Sequence, residues 1–104
     1  MLAHNVYFTL YDGSEDAKRT LVEACRTHLP GHAGVIFFAC GTREKSLERP
    51  VNDRDFDVSL HMLFTSKADH DAYQEAPGHM QFVAENQARW KLARVFDSEV
   101  ERLV

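Results

Sequence analysis

Three stretches of the chain alternate apolar and polar residues with a period of two, which is typical of a β-strand with one buried face. They cover residues 2–10, 55–65 and 90–98. A fourth stretch, 33–41, is apolar on both faces, so we expect a strand that is covered from both sides. The pattern therefore predicts four strands.

Helical patterns separate these strands. Residues 15–28 carry apolar side chains at helical spacing, directly after Ser14, which is a favourable N-cap. Ser66 can cap a second helix, which must end before Pro77. Because proline suits the first position of a helix, a third helical piece should run from Pro77 to about Gln87.

Two segments show neither period. The stretch 42–54 is charged and contains Pro50, which predicts a long exposed loop. The last residues, from Ser98 to Val104, are expected to be frayed or helical.

Strict alternation assigns each strand residue to one of the two faces of a sheet. In the first strand, His4 shares its face with apolar residues only. In the third strand, Phe56 falls on the same face as Val58. In the last strand, Trp90 falls on the same face as Phe96.

The element order β-α-β-β-α-β is typical of a ferredoxin-like α+β fold with one antiparallel sheet. The helices would cover one face and leave the other bare, including Tyr7, His61 and Leu63. Because a bare, partly apolar face is typical of an association surface, we expect two copies to pack their sheets together as a homodimeric α/β barrel. His61 would then lie at the interface, where it could pair with Asp57 or Ser59 of either copy.

The composition narrows the class of function. The chain has 104 residues, which we interpret as a single domain, 1–104. Its formal net charge is −4 without a long basic run, which argues against a nucleic-acid partner. No apolar segment approaches the roughly 18 residues that cross a bilayer, and the first residues lack the pattern of a signal peptide. We therefore expect a cytoplasmic protein with no membrane partner.

The cysteines and most histidines lack the spacing of a metal centre. Cys25 and Cys40 belong to no CxxC pair, and we interpret them as two free, buried thiols. His28 and His32 have a spacing that could bind a metal, but no convincing further ligands accompany them. His70 lies between two aspartates, and we expect it to be a solvated surface group. We therefore predict no metal and no cofactor.

The segment around Pro77 carries the most reactive combination of side chains. His79 would lie in the first turn of the new helix, where unpaired N–H groups and the helix dipole disfavour a protonated ring. Tyr73 lies about one turn before the break and could point into the same space. A neutral imidazole beside a phenol can act as a proton-transfer pair.

We expect both side chains to face an apolar cavity between the sheet and the helices, together with His4. His79 could take a proton from an acidic carbon, Tyr73 could donate a hydrogen bond to the developing oxyanion, and His4 could orient either partner or bind the ligand. The predicted ligand contacts are Val6, Phe8, Val58, Leu60, Phe82, Val83 and Trp90. A purely structural role for the tyrosine and the histidines is the alternative.

The chain also resembles the stress-responsive dimeric α/β-barrel domain proteins (Dabb) over nearly its whole length. The resemblance is carried by four segments: Leu2–Phe8, Asp55–Leu60, Tyr73–Phe82 and Ala93–Asp97. It implies a ferredoxin-like protomer that forms a homodimer.

Within this family the chain is similar to a plant enzyme, olivetolic acid cyclase, which closes a linear polyketide by an aldol step. The similarity implies that Tyr73 and His79 occupy the positions of its proposed catalytic pair, and that His4 occupies the position of a first-strand histidine. Two positions differ: Val58 stands where the enzyme has a further pocket histidine, and Ala76 stands where the family often has a histidine.

We therefore predict a homodimer that binds a small apolar carbonyl or aromatic compound, with cyclase-like acid–base chemistry by Tyr73, His79 and His4. One alternative is a non-catalytic, stress-related structural or interaction dimer whose cavity is filled by side chains. Another is a cofactor-free monooxygenase, because dimeric α/β barrels also host such enzymes.

Overall fold

The structure is a computed structural model that describes residues 1–104. Its elements are β1 (Leu2–Leu10), α1 (Glu15–His28), β2 (Val35–Thr42), β3 (Val58–Phe64), α2 (Lys67–Glu75), α3 (Pro77–Asn86), a 3₁₀ turn (Gln87–Arg89) and β4 (Trp90–Glu99). The four strands form one antiparallel sheet in the order β2-β3-β1-β4, and the helices pack on one of its faces. This arrangement confirms the predicted ferredoxin-like α+β fold.

The hydrophobic core lies between the sheet and the helices. Every second residue of β1 and of β3 is buried, as the period of two predicted. The buried apolar residues are Leu2, Val6, Phe8, Leu10, Leu21, Cys25, Leu29, Val58, Leu60, Met62, Phe64, Tyr73 and Phe82. His4 shares this face of β1 and is also buried, so the alternation that builds the core carries one imidazole into it.

The starts of the helices follow from local chemistry. Ser14 Oγ accepts a hydrogen bond from the N–H of Ala17 at 3.2 Å, and Ser66 Oγ accepts one from the N–H of Asp69 at 3.2 Å. These caps satisfy N–H groups that the first helical turn leaves unpaired. α3 has no side-chain cap, and its first residue is Pro77, which has no N–H to satisfy.

The strand predicted at residues 33–41 is present as β2, but the protomer does not cover both of its faces. β2 starts at Val35, because Gly34 has a positive φ of 84° and belongs to the preceding turn. β2 is an edge strand, and the side chains of Ile36 and Phe37 are 54% and 51% exposed. One face of this strand therefore has no cover within the protomer.

β3 is shorter than predicted, and this moves Phe56 to the other face of the sheet. The strand starts at Val58, and Phe56 packs edge-on against Tyr7, with ring centroids 5.0 Å apart. Tyr7 lies on the open face, by which we mean the sheet face opposite the helices. Asp57, which lies between Phe56 and Val58, accepts a hydrogen bond from the N–H of Leu10 at 2.8 Å. This contact ties the end of the loop to β1.

Trp90 and Phe96 lie on opposite faces of the sheet, not on the same face as predicted. The pairing of β1 with β4 shifts by one residue between Thr9 and Leu10, and Trp90 pairs with Leu10. A shift in register exchanges the two faces of a strand. Trp90 therefore packs on the side of the helices, whereas Phe96 lies on the open face.

The remaining segments agree in part with the predictions. The connection from β2 to β3 contains no helix or strand and is mostly exposed, as expected for the 42–54 loop. β4 continues to Glu99, and residues 100–104 have no regular secondary structure.

Cys25 and Cys40 are both free, and burial raises the pKa of the Cys25 thiol to about 12. None of the helices combines the length and the hydropathy needed to span a membrane.

Candidate functional site

Tyr73 and His79 meet at the break between α2 and α3. Tyr73 is a buried residue near the end of α2, and His79 lies in the first turn of α3. Only Ala76, with extended backbone, separates the two helices. The resulting change of direction brings the two ring centroids to 4.7 Å from each other.

Gly78 allows the start of α3 to approach the end of α1. A Cβ at this position would lie 2.9 Å from the carbonyl oxygen of His28 and 3.3 Å from the ring of His32. The first distance is shorter than a Cβ tolerates, and its partner is backbone. The absence of a side chain at Gly78 therefore lets α3, which carries His79, begin this close to the end of α1.

The ring of His79 is oriented by the backbone of Gln74. Its Nδ1 lies 3.0 Å from the Gln74 carbonyl oxygen, so Nδ1–H donates and Nε2 carries the lone pair. Burial lowers the pKa of His79 below 6.5; the Gln74 carbonyl opposes this effect, and neighbouring imidazoles reinforce it. At neutral pH the ring is therefore neutral, and Nε2 can act as a base.

Tyr73 has the complementary property. Burial raises the pKa of its hydroxyl above the ordinary value of 10.0. The phenol therefore remains protonated at neutral pH and can donate a hydrogen bond. Its ring packs against His32 and Phe64, each with a centroid distance of 5.1 Å, and these contacts hold its orientation.

His4 approaches the same space from the sheet. In the antiparallel register it lies opposite Asp97 of β4, and its Nδ1 is 2.5 Å from Asp97 Oδ1. Its ring centroid is 6.2 Å from that of Tyr73. Burial lowers the pKa of His4, and the hydrogen bond to Asp97 partly offsets this effect. When the ring is neutral, Nε2 is the nitrogen left with a lone pair.

A cavity of about 200 Å³ lies between the sheet and the pair α2 and α3. Its walls include the three predicted acid–base residues, His4, Tyr73 and His79. They also include six of the predicted ligand contacts: Val6, Phe8, Leu60, Phe82, Val83 and Trp90. The structure thus brings together nearly all residues that the sequence singled out.

Val58 is the exception among the predicted ligand contacts. It lies opposite Phe8, is fully buried, and does not line the cavity. The walls contain three residues that the sequence did not suggest, namely Gln74, Ala93 and Val95. The last two lie opposite Phe8 and Val6 on the core face of β1, a register with β4 that alternation alone does not reveal.

Trp90, a residue of the cavity wall, carries an unpaired donor. Its indole Nε1 is buried and has no hydrogen-bond partner. The ring itself is held by Phe8 and Phe82, at centroid distances of 4.8 Å and 5.7 Å. Leaving a buried N–H without an acceptor is unfavourable.

His70 was predicted to be a solvated surface group, and this prediction was wrong. Its side chain is only 14% exposed, and its ring lies 4.9 Å from that of His4 and 5.5 Å from that of Phe64. His70 precedes Tyr73 by three residues on α2, a spacing that places two side chains on one side of a helix. This spacing is the signal in the sequence that identifies His70 as a neighbour of the cavity.

His28 and His32 do not face a common ligand site. His28 Nε2 lies 3.2 Å from Glu85 Oε2. His32 Nε2 lies 3.2 Å from the backbone carbonyl oxygen of His28, and its ring packs on Tyr73. Both imidazoles are therefore engaged by neighbouring protein groups.

The open face combines polar contacts with exposed aromatic surface. His61 Nε2 lies 3.1 Å from Ser59 Oγ, and His61 Nδ1 lies 2.9 Å from Asn5 Oδ1. The first contact is one of those that the sequence suggested, here within a single protomer. Phe96 packs against Tyr7 at 5.8 Å between ring centroids and is still 53% exposed.

Comparisons with known proteins agree on this architecture. The sequence profile of a family described as the stress responsive A/B barrel domain matches residues 2–100. A solved Dabb family protein with a ferredoxin-like fold, from Mesorhizobium loti, is 20% identical, with a TM-score of 0.78 over 97% of each chain. No protein with a curated description matches the sequence of this chain.

Two further solved structures resemble the chain. A dimeric ferredoxin-like protein of unknown function from a Jannaschia species is 22% identical, covers 95% of this chain and 98% of its own, and has a TM-score of 0.76. The hydroxynitrile lyase from Passiflora edulis is 17% identical, covers 99% of this chain and 95% of its own, and has a TM-score of 0.76. At these identities the likeness shows a shared fold and does not extend to activity.

Proposed function

The chain belongs to the stress responsive A/B barrel domain family, and from this premise we propose that it binds a small apolar carbonyl or aromatic compound in the cavity. In this proposal His79 acts as the base, Tyr73 as the hydrogen-bond donor, and His4 orients the ligand. The protein acts as a single-domain homodimer in the cytoplasm, without nucleic-acid or membrane partners.

The observation that carries the proposal is the contact between Tyr73 and His79 in the wall of one cavity. The two groups are in the states that acid–base chemistry requires at neutral pH. The same burial that keeps the phenol protonated keeps the imidazole neutral. The neutral imidazole can remove a proton from carbon, and the protonated phenol can donate a hydrogen bond to the enolate oxygen that forms.

The volume of the cavity limits the size of the ligand. Pockets for drug-sized ligands measure about 300–1,000 Å³, and this cavity measures about 200 Å³. We therefore expect compounds with one ring or a short chain. Substitution of the wall residue Ala93 by a larger residue would reduce the cavity volume while Tyr73, His79 and His4 stay unchanged.

The homodimer is supported by the exposed apolar side chains of the open face and of β2. Phe37 and Phe96 are each about half exposed in the protomer. The Jannaschia relative with this fold is described as dimeric. Pairing of two open faces would cover this apolar surface with the same surface of a second copy, as a two-fold interface does.

A screen of small ketones, aldehydes and phenols, read by thermal shift, tests the proposal. A compound that binds the folded state raises the melting temperature by mass action. The variant Ala93→Leu adds bulk at the cavity wall and should reduce the shift, whereas Ala84→Leu, on α3 outside the wall, should retain it. The proposal fails if no compound shifts the wild-type protein, or if both variants respond like the wild type.

The small volume also favours one alternative, a non-catalytic stress-related dimer in which the cavity residues only support the fold. In that case Tyr73→Phe and His79→Gln lower the melting temperature, and no compound raises it. The cofactor-free monooxygenase stays a prediction, which oxygen consumption with a candidate phenol would test.

A further inference from the structure

Three potential metal ligands converge beside the cavity. His4 from β1, His70 from α2 and Asp97 from β4 each offer one ligand atom, and these atoms lie within 4.8 Å of one another. We propose that this cluster binds one divalent transition-metal ion, with Zn²⁺ as its representative. The inference is independent of the proposed function, because metal binding requires no organic ligand.

The donor set indicates the class of ion. Two imidazole nitrogens and one carboxylate oxygen suit Zn²⁺ and its transition-metal neighbours, whereas Mg²⁺ and Ca²⁺ prefer oxygen ligands alone. Three protein ligands also leave one coordination position for water or for another small molecule. The cluster therefore has the composition of an open metal site rather than a closed structural one.

The backbone holds the three ligands in place. The antiparallel register sets His4 opposite Asp97, and their side chains are already in contact at 2.5 Å. The ring of His70 stacks obliquely on that of His4, at 4.9 Å between centroids. The three donor atoms already lie within 4.8 Å of one another, and an ion that binds His4 through Nδ1 would displace the proton that this nitrogen shares with Asp97.

His70 also has a neighbour that prepares it to bind a metal. Its Nδ1 lies 3.0 Å from Asp71 Oδ1, which favours the tautomer with the lone pair on Nε2. A carboxylate that holds the second nitrogen of a ligating imidazole is a recurrent feature of metal sites, where it orients the ring and increases its basicity. The only contact at His70 Nε2 is with the Gln74 amide at 3.4 Å, which an ion could displace.

Burial within the cluster increases in one direction. The Asp97 side chain is 41% exposed, that of His70 14% and that of His4 6%. An ion can therefore enter from the side of Asp97 and meet the imidazoles behind it. The formal net charge of −4 favours the approach of a cation.

The test is isothermal titration calorimetry of untagged, chelator-treated protein with ZnCl₂ at neutral pH. We expect one ion per chain, and a loss of affinity of more than about tenfold in His70→Gln and in Asp97→Asn. The control His28→Gln removes a histidine outside the cluster and should bind Zn²⁺ within about twofold of the wild type. Titration with Co²⁺ should give visible absorption bands that are lost in His70→Gln and retained in His28→Gln.

Thermal melting of the metal-free variants shows whether each of them is folded. If one of the two cluster variants, His70→Gln or Asp97→Asn, does not fold, the Zn²⁺ affinity of the other one tests the inference. The inference is overturned if the wild type binds no Zn²⁺. It is also overturned if the folded cluster variants bind as tightly as the wild type, or if His28→Gln weakens binding as much as His70→Gln does.

Discussion

The rings of Tyr73 and His79 lie 4.7 Å apart on the two sides of the helix break at Pro77, although each belongs to a different helix. The Gln74 carbonyl holds Nδ1 of the imidazole, so the lone pair is on Nε2. The phenol is held protonated by burial. Donor and base are thus separate groups with fixed roles, and substitution of each should have a different effect.

We expect His79→Gln to reduce any proton abstraction from a bound ketone by a factor of about 10²–10⁴, because a positioned base contributes that much. Tyr73→Phe should reduce it by about 10²–10³, the usual loss for one oxyanion donor. The measurement is deuterium exchange at the carbon next to the carbonyl of a ketone found in the ligand screen, followed by NMR. Tyr11→Phe, an exposed tyrosine, is the control and should exchange at the wild-type rate. Equal rates in all four proteins would exclude a catalytic role for the pair.

Much of this site follows from local sequence patterns. Alternation in β1 places His4 on the core face, and the proline break places Tyr73 beside His79. Both are short-range effects, because they depend on a period of two and on the missing N–H of Pro77. The three-residue spacing from His70 to Tyr73 likewise indicates that both side chains lie on one side of α2. The aspartates that flank His70 suggested instead that it is solvated.

Other features depend on contacts between distant parts of the chain. The hydrogen bond from His4 to Asp97 joins residues 93 positions apart and requires the register of β1 with β4. The shift in that register at Leu10 sends Trp90 into the cavity wall, and no residue in the sequence marks it. Register follows from the packing of the whole sheet, which a single sequence read locally does not reveal.

The lowered pKa values of His4 and His79 predict that stability depends on pH. Both lie below the ordinary value of 6.5, so the unfolded chain binds more protons than the folded one just below that pH. The free energy of unfolding should therefore be fully retained above about pH 6.5 and should fall as the pH is lowered below that value, through the depressed pKa values of the folded state. Urea unfolding at several pH values measures this, and His79→Gln should reduce the slope. Stability that increases with acidity in this range would contradict the prediction.

The groups that face these two imidazoles determine how steep the loss is. Asp97 stabilises a protonated His4 and weakens the effect, whereas His32 and His70 strengthen it by repulsion when they are protonated. Asp97→Asn should therefore steepen the loss of stability below pH 6.5.

Gly78→Ala should destabilise the fold and disturb the position of His79. The new Cβ would lie 2.9 Å from the carbonyl oxygen of His28, so α3 must move away from α1. Forcing extra volume into a packed site costs about 1–3 kcal/mol. The control is Gly41→Ala in β2, where no atom lies within 4 Å of the new Cβ. Urea unfolding measures the cost, and the thermal shift by a compound found in the ligand screen should shrink in Gly78→Ala only. An unchanged free energy of unfolding in Gly78→Ala would show that α3 accommodates the methyl group freely.

The exposed aromatic surface of the open face predicts that Phe96→Asp converts a dimer into a monomer. Phe96 packs on Tyr7 and is 53% exposed, so pairing of two open faces would bury it. A carboxylate there would lose its water on association without gaining a partner of opposite charge. Light scattering coupled to size exclusion measures the mass, and circular dichroism verifies that the variant is folded. Met80→Asp is the matched control, because Met80 is 59% exposed but lies on α3, on the helical side. A wild-type protein with the mass of one chain, or dissociation by Met80→Asp as well, would rule out the open face as the dimer interface.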